Sequence, residues 1–163
     1  ITWAGDCDNI RSIAQHTLAL AIRDLLVSDH YASGAHGDGT RDIKCYAQDP
    51  VYTLVDEQIL YEAGFTVVDD PRAFLEVDEA SVVIAISPDI PVRQIVADIA
   101  RPTIMIWDKV TVLDRDIAWH VYFSLTDPVS SRVEQMMEEY IELPFPAEDK
   151  YFDDVVMYVR KGG

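Results

Sequence analysis

Five apolar runs in the chain each end in an aspartate: Ile1–Asp6 (ITWAGD), Ile43–Asp49 (IKCYAQD), Phe65–Asp69 (FTVVD), Val82–Asp89 (VVIAISPD) and Thr103–Asp108 (TIMIWD). Helix-like stretches separate most of them. Strands alternating with helices imply a parallel sheet with crossover helices. In such a sheet the strand ends share one edge, where ligands of that architecture bind. The expected fold is α/β, a Rossmann-like three-layer sandwich with a mainly parallel sheet. Its core order is 3-2-1-4-5, with C-terminal strands added, and residues 1–163 form one domain.

The chain has 163 residues, 49 % of them hydrophobic, which suits a single α/β core. No stretch approaches the roughly 20 apolar residues of a membrane span. Ile1 already lies in a strand-like run, so no secretory leader is expected. The net charge of −16 repels phosphate backbones and anionic lipid, which argues against nucleic-acid and membrane partners. Its plainest meaning is solubility. Two cysteines, Cys7 and Cys45, are too few for a disulfide scaffold and form no C-x-x-C motif. Reduced thiols in the cytoplasm or nucleus follow most simply.

Strand one is expected at Ile1–Ala4, with a turn at Gly5 and a cap at Asp8 or Asn9. A helix then runs over 10–27, because Ile10, Ile13, Ala14, Leu18, Ala21, Ile22 and Leu25 recur at helical spacing. Ser28–Asp42 is polar and carries three glycines, a connection or insertion. His30 and His36 lie there without metal-ligand spacing. Strand two is Ile43–Ala47. Asp49-Pro50 has the look of a cap followed by proline, opening a helix from Val51 to Ala63 that Gly64 ends. Strand three is Phe65–Val68, and Pro71–Val77 is a short helix or turn.

Strand four, Ser81–Ile86, is continuously apolar and expected in the sheet centre, buried on both faces. The loop Ser87-Pro88-Asp89-Ile90-Pro91 and a helix marked by Val92, Ile95, Val96 and Ile99 follow. Pro102 precedes strand five, Thr103–Trp107. Beyond it a helical turn at Asp114–Ala118, a strand at His120–Leu125, a helix from Val129 to Ile141 capped by Asp127, a loop at Leu143–Asp149 and a final strand at Val155–Arg160 are expected.

With that strand order the binding crevice lies between strands one and four. The candidate ligand-binding residues are Gly5, Asp6, Asp8, Asn9, Asp49, Ser87 and Asp89. The first loop has one glycine and two acids, so it fits neither a dinucleotide fingerprint nor a P-loop. Carboxylates at strand ends suit ribose hydroxyls or an ammonium group. S-adenosylmethionine or a nucleoside supplies these, and a methyltransferase-like enzyme is one reading. A divalent cation on Asp6, Asp8 and Asp89 is another. Against both stands a plainer role, since short loops use aspartate to cap the next helix, as Asp8, Asp49 and Asp127 are placed to do. No catalytic triad, H-x-x-E-H helix or paired metal-ligand motif is present. His16 and His120 are isolated and read as structural, and Glu138-Glu139 as a solvated face.

Cys45-Tyr46-Ala47-Gln48-Asp49-Pro50-Val51-Tyr52-Thr53 resembles the strand and D-P-x-aromatic-T signature of the Sensitivity-to-Red-Light-Reduced-like (SRR1-like) domain. Ala14-Gln15-His16-Thr17-Leu18-Ala19-Leu20 is similar to that family's A-Q-x-x-L-A-L helix. The helix ending at Gly64 and the strand after it fit the segment that follows. The tail from Asp127 to Lys161 is similar to fungal-type members, so the resemblance covers most of the chain. It implies a Rossmann-like domain with regulatory rather than established enzymatic roles, acting through protein partners or a small ligand. Members are associated with light and circadian signalling in plants, and with cytoskeletal or haem-related phenotypes elsewhere. The chain departs from the pattern at Gly5-Asp6-Cys7-Asp8-Asn9, where many members have G-x-G-x-aromatic. It departs again at Ser87-Pro88-Asp89-Ile90-Pro91, where many have a Pro-His-Cys-like element.

Overall fold

Residues Ala4–Ala32 form one continuous helix, α1, in a computed structural model that describes residues 4–32, 43–111, 126–145, 152 and 154–162. Ala4, the last residue of the expected strand one, is helical, and residues 1–3 of that strand lie outside the described residues. Gly5 is not a turn but part of the first helical turn, and the helix overruns the expected stop by five residues, from 27 to 32. Asp6 and Asp8 lie in its first two turns. Residues 33–42, the turn at 114–118 and the strand at 120–125 lie outside the described residues. The chain divides into two compact units, Ile1–Leu75 and Glu76–Gly163.

The first unit combines α1 with β1 (Cys45–Ala47), α2 (Leu54–Glu62), β2 (Phe65–Val67) and α3 (Arg72–Leu75). β1 and β2 pair in parallel, Tyr46 opposite Thr66, and make a sheet of two strands. Ala47, Leu60 and Phe65 form its buried centre, with Ala19 and Leu20 of α1 packed against them. α2 starts three residues later than expected. Asp49-Pro50 makes a turn in which Asp49 Oδ1 accepts the Val51 N–H at 3.0 Å. Thr53, not Asp49, caps the helix. Gly64 ends it at φ +91°, a left-handed conformation that favours glycine. The Arg23 guanidinium of α1 closes the same helix end by donating to the Ala63 carbonyl at 3.1 Å.

The second unit holds β3 (Val82–Ala85), α4 (Val92–Ile99), β4 (Ile104–Asp108), α5 (Ser131–Met137), β5 (Tyr140–Pro144) and β6 (Val155–Arg160). Its sheet has four strands in the order β3-β4-β6-β5. β3 and β4 are parallel, but β6 runs antiparallel to β4 and to β5. The mainly parallel sandwich of order 3-2-1-4-5 is therefore not what forms. The protein is α/β, with a small parallel sheet and a separate mixed one. The physical reason lies in two segments. The first apolar run is helical from Ala4 onward. The tail returns as β5 and β6, and β6 takes the place beside β4. Among the described residues β3 lies at the edge of its sheet, half-buried throughout, rather than in its centre.

Met105, Ile106 and Trp107 of β4 are buried and lie at the heart of this unit. Val92, Val96 and Ala97 of α4 and Val133 and Met136 of α5 are buried with them. Ser130 caps α5, its hydroxyl accepting from Val133 N. The helix is shorter than expected, and Tyr140 already lies in a strand. The Tyr140 hydroxyl donates to the Pro102 carbonyl at 2.7 Å, tying β5 to the start of β4.

Gly64→Ala is expected to cost about 1 kcal/mol through the positive φ. A Cβ there would also meet Arg23 Nη1 at 3.0 Å. Urea unfolding of Gly64→Ala alone and with Arg23→Ala separates the two costs: the backbone part survives the second substitution and the contact part does not.

Candidate functional site

The D-P-x-aromatic-T segment builds a local structure in the first unit. Tyr52 N–H donates to the Asp49 carbonyl at 3.3 Å, closing the turn. The Thr53 hydroxyl accepts from Asp56 N, while Asp56 Oδ2 accepts from Thr53 N at 2.8 Å and from its hydroxyl at 2.7 Å. This is a reciprocal cap that satisfies donors the helix leaves open. Its hydrogen bonds from the Thr53 hydroxyl and backbone hold the Asp56 carboxyl below the usual carboxylate range.

Tyr52 ties this turn to α1. His16 Nδ1 lies 2.7 Å from the Ser12 carbonyl, which can only accept, so Nδ1 carries the proton. The neutral ring then presents Nε2 as an acceptor, and the Tyr52 hydroxyl donates to it at 2.8 Å. Burial, with the Asp49 and Asp56 charges, pushes that hydroxyl up to about 12 and keeps it protonated. The His16 ring also meets Phe65 edge-on at 6.0 Å. Gln48 links the ends of β1 and β2, its Nε2 donating to Asp70 Oδ1 and its Oε1 accepting from Ala73 N.

The second unit places a crevice at the ends of β3 and β4, beside the start of α4. It is lined by Ala85, Pro88, Val92, Arg93, Trp107, Asp108 and Asp127 and is too narrow for a water molecule. Asp127 Oδ2 accepts from Arg93 N at 2.8 Å and from Arg93 Nε at 3.0 Å. Arg93 Nη2 donates to the Asp127 carbonyl. Asp127 thus caps α4, from 34 residues away, rather than its own helix. Asp108 Oδ2 accepts the Ser87 N–H at 3.0 Å. Ser87 takes φ +49°, a left-handed conformation unusual for serine. Two buried polar atoms at this crevice have no hydrogen-bond partner: Trp107 Nε1 and Asp127 Oδ1. Elsewhere in the unit an open groove of about 470 Å³ runs past Asp78, Glu79, Asp98 and Arg101. Its charges are already engaged, Asp98 by Arg132 and Arg101 by Glu139.

The residues expected to bind a ligand fall as follows. Gly5, Asp6, Asp8 and Asn9 lie in the first turns of α1, with side chains outside the described set. Asp49 follows β1 and serves its own turn. Ser87 and Asp89 follow β3, where Ser87 reaches Asp108 through its backbone. The crevice between strands one and four depends on the order 3-2-1-4-5, which does not form. Among the described residues no three His, Cys, Asp or Glu side chains gather as a metal site. His36, and the side chains of Cys7 and His30, lie outside that set. Among the described residues no helix is long and apolar enough to cross a membrane. Sequence reasoning missed Arg93 and Trp107 altogether and gave Asp127 a local role. Burial of an Asp-Pro pair far from its partner leaves no periodic signal to find it by.

Breaking the Arg93–Asp127 pair leaves a charge buried without a partner, so Asp127→Ala is expected to cost about 3 kcal/mol in chemical unfolding. Asp56 gives a pH test. Its lowered folded pKa contributes stability that is complete above the unfolded value and lost as pH falls through the folded one. The stability gap between wild type and Asp56→Ala in urea unfolding is therefore expected to be full at about pH 7 and to shrink as acid protonates the carboxylate.

A family model described as the SRR1 domain matches residues 5–159. No curated protein and no solved structure matches the chain.

Proposed function

The chain belongs to the SRR1 domain family, and on that premise we propose that it is a regulatory protein that holds a protein partner on the outer face of α2. The observation that carries this reading is an apolar face with nothing buried behind its exposure. Leu54, Val55 and Ile59 are 83 %, 68 % and 59 % exposed, and Val51 just before them is 76 % exposed. Their spacing puts them along one side of the helix. Leu60 is already spent on the core from the opposite side.

Single exposed apolar residues are ordinary, but a run of large ones on one short helix marks an interaction surface. The helix does not need them for its own formation, since both ends are capped. Asp56, Glu57 and Glu62 stand on the same element. A chain of net charge −16 favours a partner of the opposite sign. The partner chemistry that fits is an amphipathic helix with an apolar stripe flanked by lysine and arginine, bound in the cytoplasm or nucleus.

The methyltransferase-like alternative rested on a strand order that does not form. Regulation through a partner needs no such order and agrees with what the family resemblance implies.

A photo-crosslinker placed at position 55 of the full chain tests the reading. The expected product joins to a basic amphipathic segment of a partner. Leu54→Glu with Ile59→Glu is expected to weaken that partner at least about tenfold without loss of helix content. A crosslinked segment that is acidic, or a partner indifferent to both substitutions, defeats the proposal. Turnover of a small molecule by the purified chain would defeat it too.

A further inference from the structure

Two orphaned polar atoms share one crevice, and they are of opposite kinds. Trp107 is 1 % exposed and Asp127 4 % exposed. The indole Nε1–H is a donor only, and a carboxylate oxygen is an acceptor only. Native proteins rarely bury such atoms without partners, and an exception calls for an explanation. The other Asp127 oxygen is saturated by Arg93 N and Nε, which also balances its charge.

We infer that this crevice is a binding site for a neutral, hydroxyl-bearing small molecule of the pentose or polyol class, which accepts from Trp107 Nε1–H and donates to Asp127 Oδ1. A hydroxyl both donates and accepts, so one group of this kind serves both orphans. An anion satisfies the indole and leaves the Asp127 oxygen without a donor. An ammonium satisfies the carboxylate and leaves the indole unserved. The pair of orphans therefore selects for hydroxyl chemistry.

The crevice is closed to a water-sized sphere, so admission requires its rim to move. Pro88 lines it, directly after Ser87 in its left-handed conformation. The proposal concerns the second unit only and stands independently of the α2 surface.

The test follows the Trp107 indole N–H resonance of the ¹⁵N-labelled full chain, identified as the signal that Trp107→Phe removes. D-ribose, adenosine, inorganic phosphate and methylammonium are the probes. Saturable movement of that signal with ribose and adenosine is expected, with none for phosphate or methylammonium. Asp127→Asn turns the free oxygen into an amide donor when the carbonyl keeps Arg93, and is expected to weaken adenosine at least about tenfold. Should Asp127→Asn not fold, calorimetry on Trp107→Phe serves instead, with at least about a fivefold loss expected. No movement with ribose or adenosine at about 10 mM, movement with phosphate or methylammonium instead, or unchanged affinity in the variant overturns the site.

Discussion

A carboxylate that reaches across 34 residues to hold the start of a helix is the constraint on which the second unit depends. Asp127 gives one oxygen to the backbone and side chain of Arg93 and its carbonyl to the same guanidinium. The Arg93 Nη1 extends the network to the Asp108 carbonyl at the end of β4. Helix α4, the end of β4 and the approach to α5 are thereby fixed to one cation. A buried ion pair is poor evidence of stability by itself, because desolvation offsets much of the attraction. What it supplies here is placement. Any shift of α4 along the sheet would strand either the charge or the helix N–H it serves.

The first unit is organised by a different device, and it explains why the D-P-x-aromatic-T element has that composition. Asp49 accepts a backbone N–H inside its own turn. Tyr52 sends its hydroxyl to His16 on α1. Thr53 closes the cap with Asp56. Each residue type is used for what it alone does at that position: an Asx turn, a long polar reach from an apolar body, and a hydroxyl cap. The family signature is thus accounted for by architecture, with no ligand required to justify it.

Most strands and helices were legible as separate elements. The apolar runs at 43–47, 65–68 and 81–86 contain β1 to β3, the run at 103–107 meets β4 to within one residue, and β6 occupies Val155–Arg160 as read. Val92, Val96 and Ala97 recur on the buried side of α4, and Gly64 stops α2. What hydrophobic pattern does not encode is which strand lies beside which. Alternation with helices argued for parallel neighbours, yet Ile106 of β4 faces Met157 on an antiparallel β6. That pairing joins segments far apart in sequence and leaves no local trace. At the other end the helix expected from Ile10 begins at Ala4, because the segment from Gly5 to Asn9, read as a turn and cap, continues its backbone.

Two of the aspartates that suggested a crowded acidic rim, Asp49 and Asp108, share a humbler chemistry with Asp56, Asp78 and Asp127. Asp49 accepts from Val51 N, Asp56 from Thr53 N, Asp78 from Ala80 N, Asp108 from Ser87 N and Asp127 from Arg93 N. Each satisfies a backbone donor at a turn or a helix start, where no helical or sheet partner exists. These five carboxylates serve short connections. A functional carboxylate must be sought where an oxygen remains after the backbone has been served. Asp127 has such an oxygen, and Trp107, which lines the same crevice, has an indole N–H in the same condition. An unserved buried polar atom typically costs about 1–3 kcal/mol, so two of opposite kind lining one crevice form the feature of this unit that backbone satisfaction does not explain.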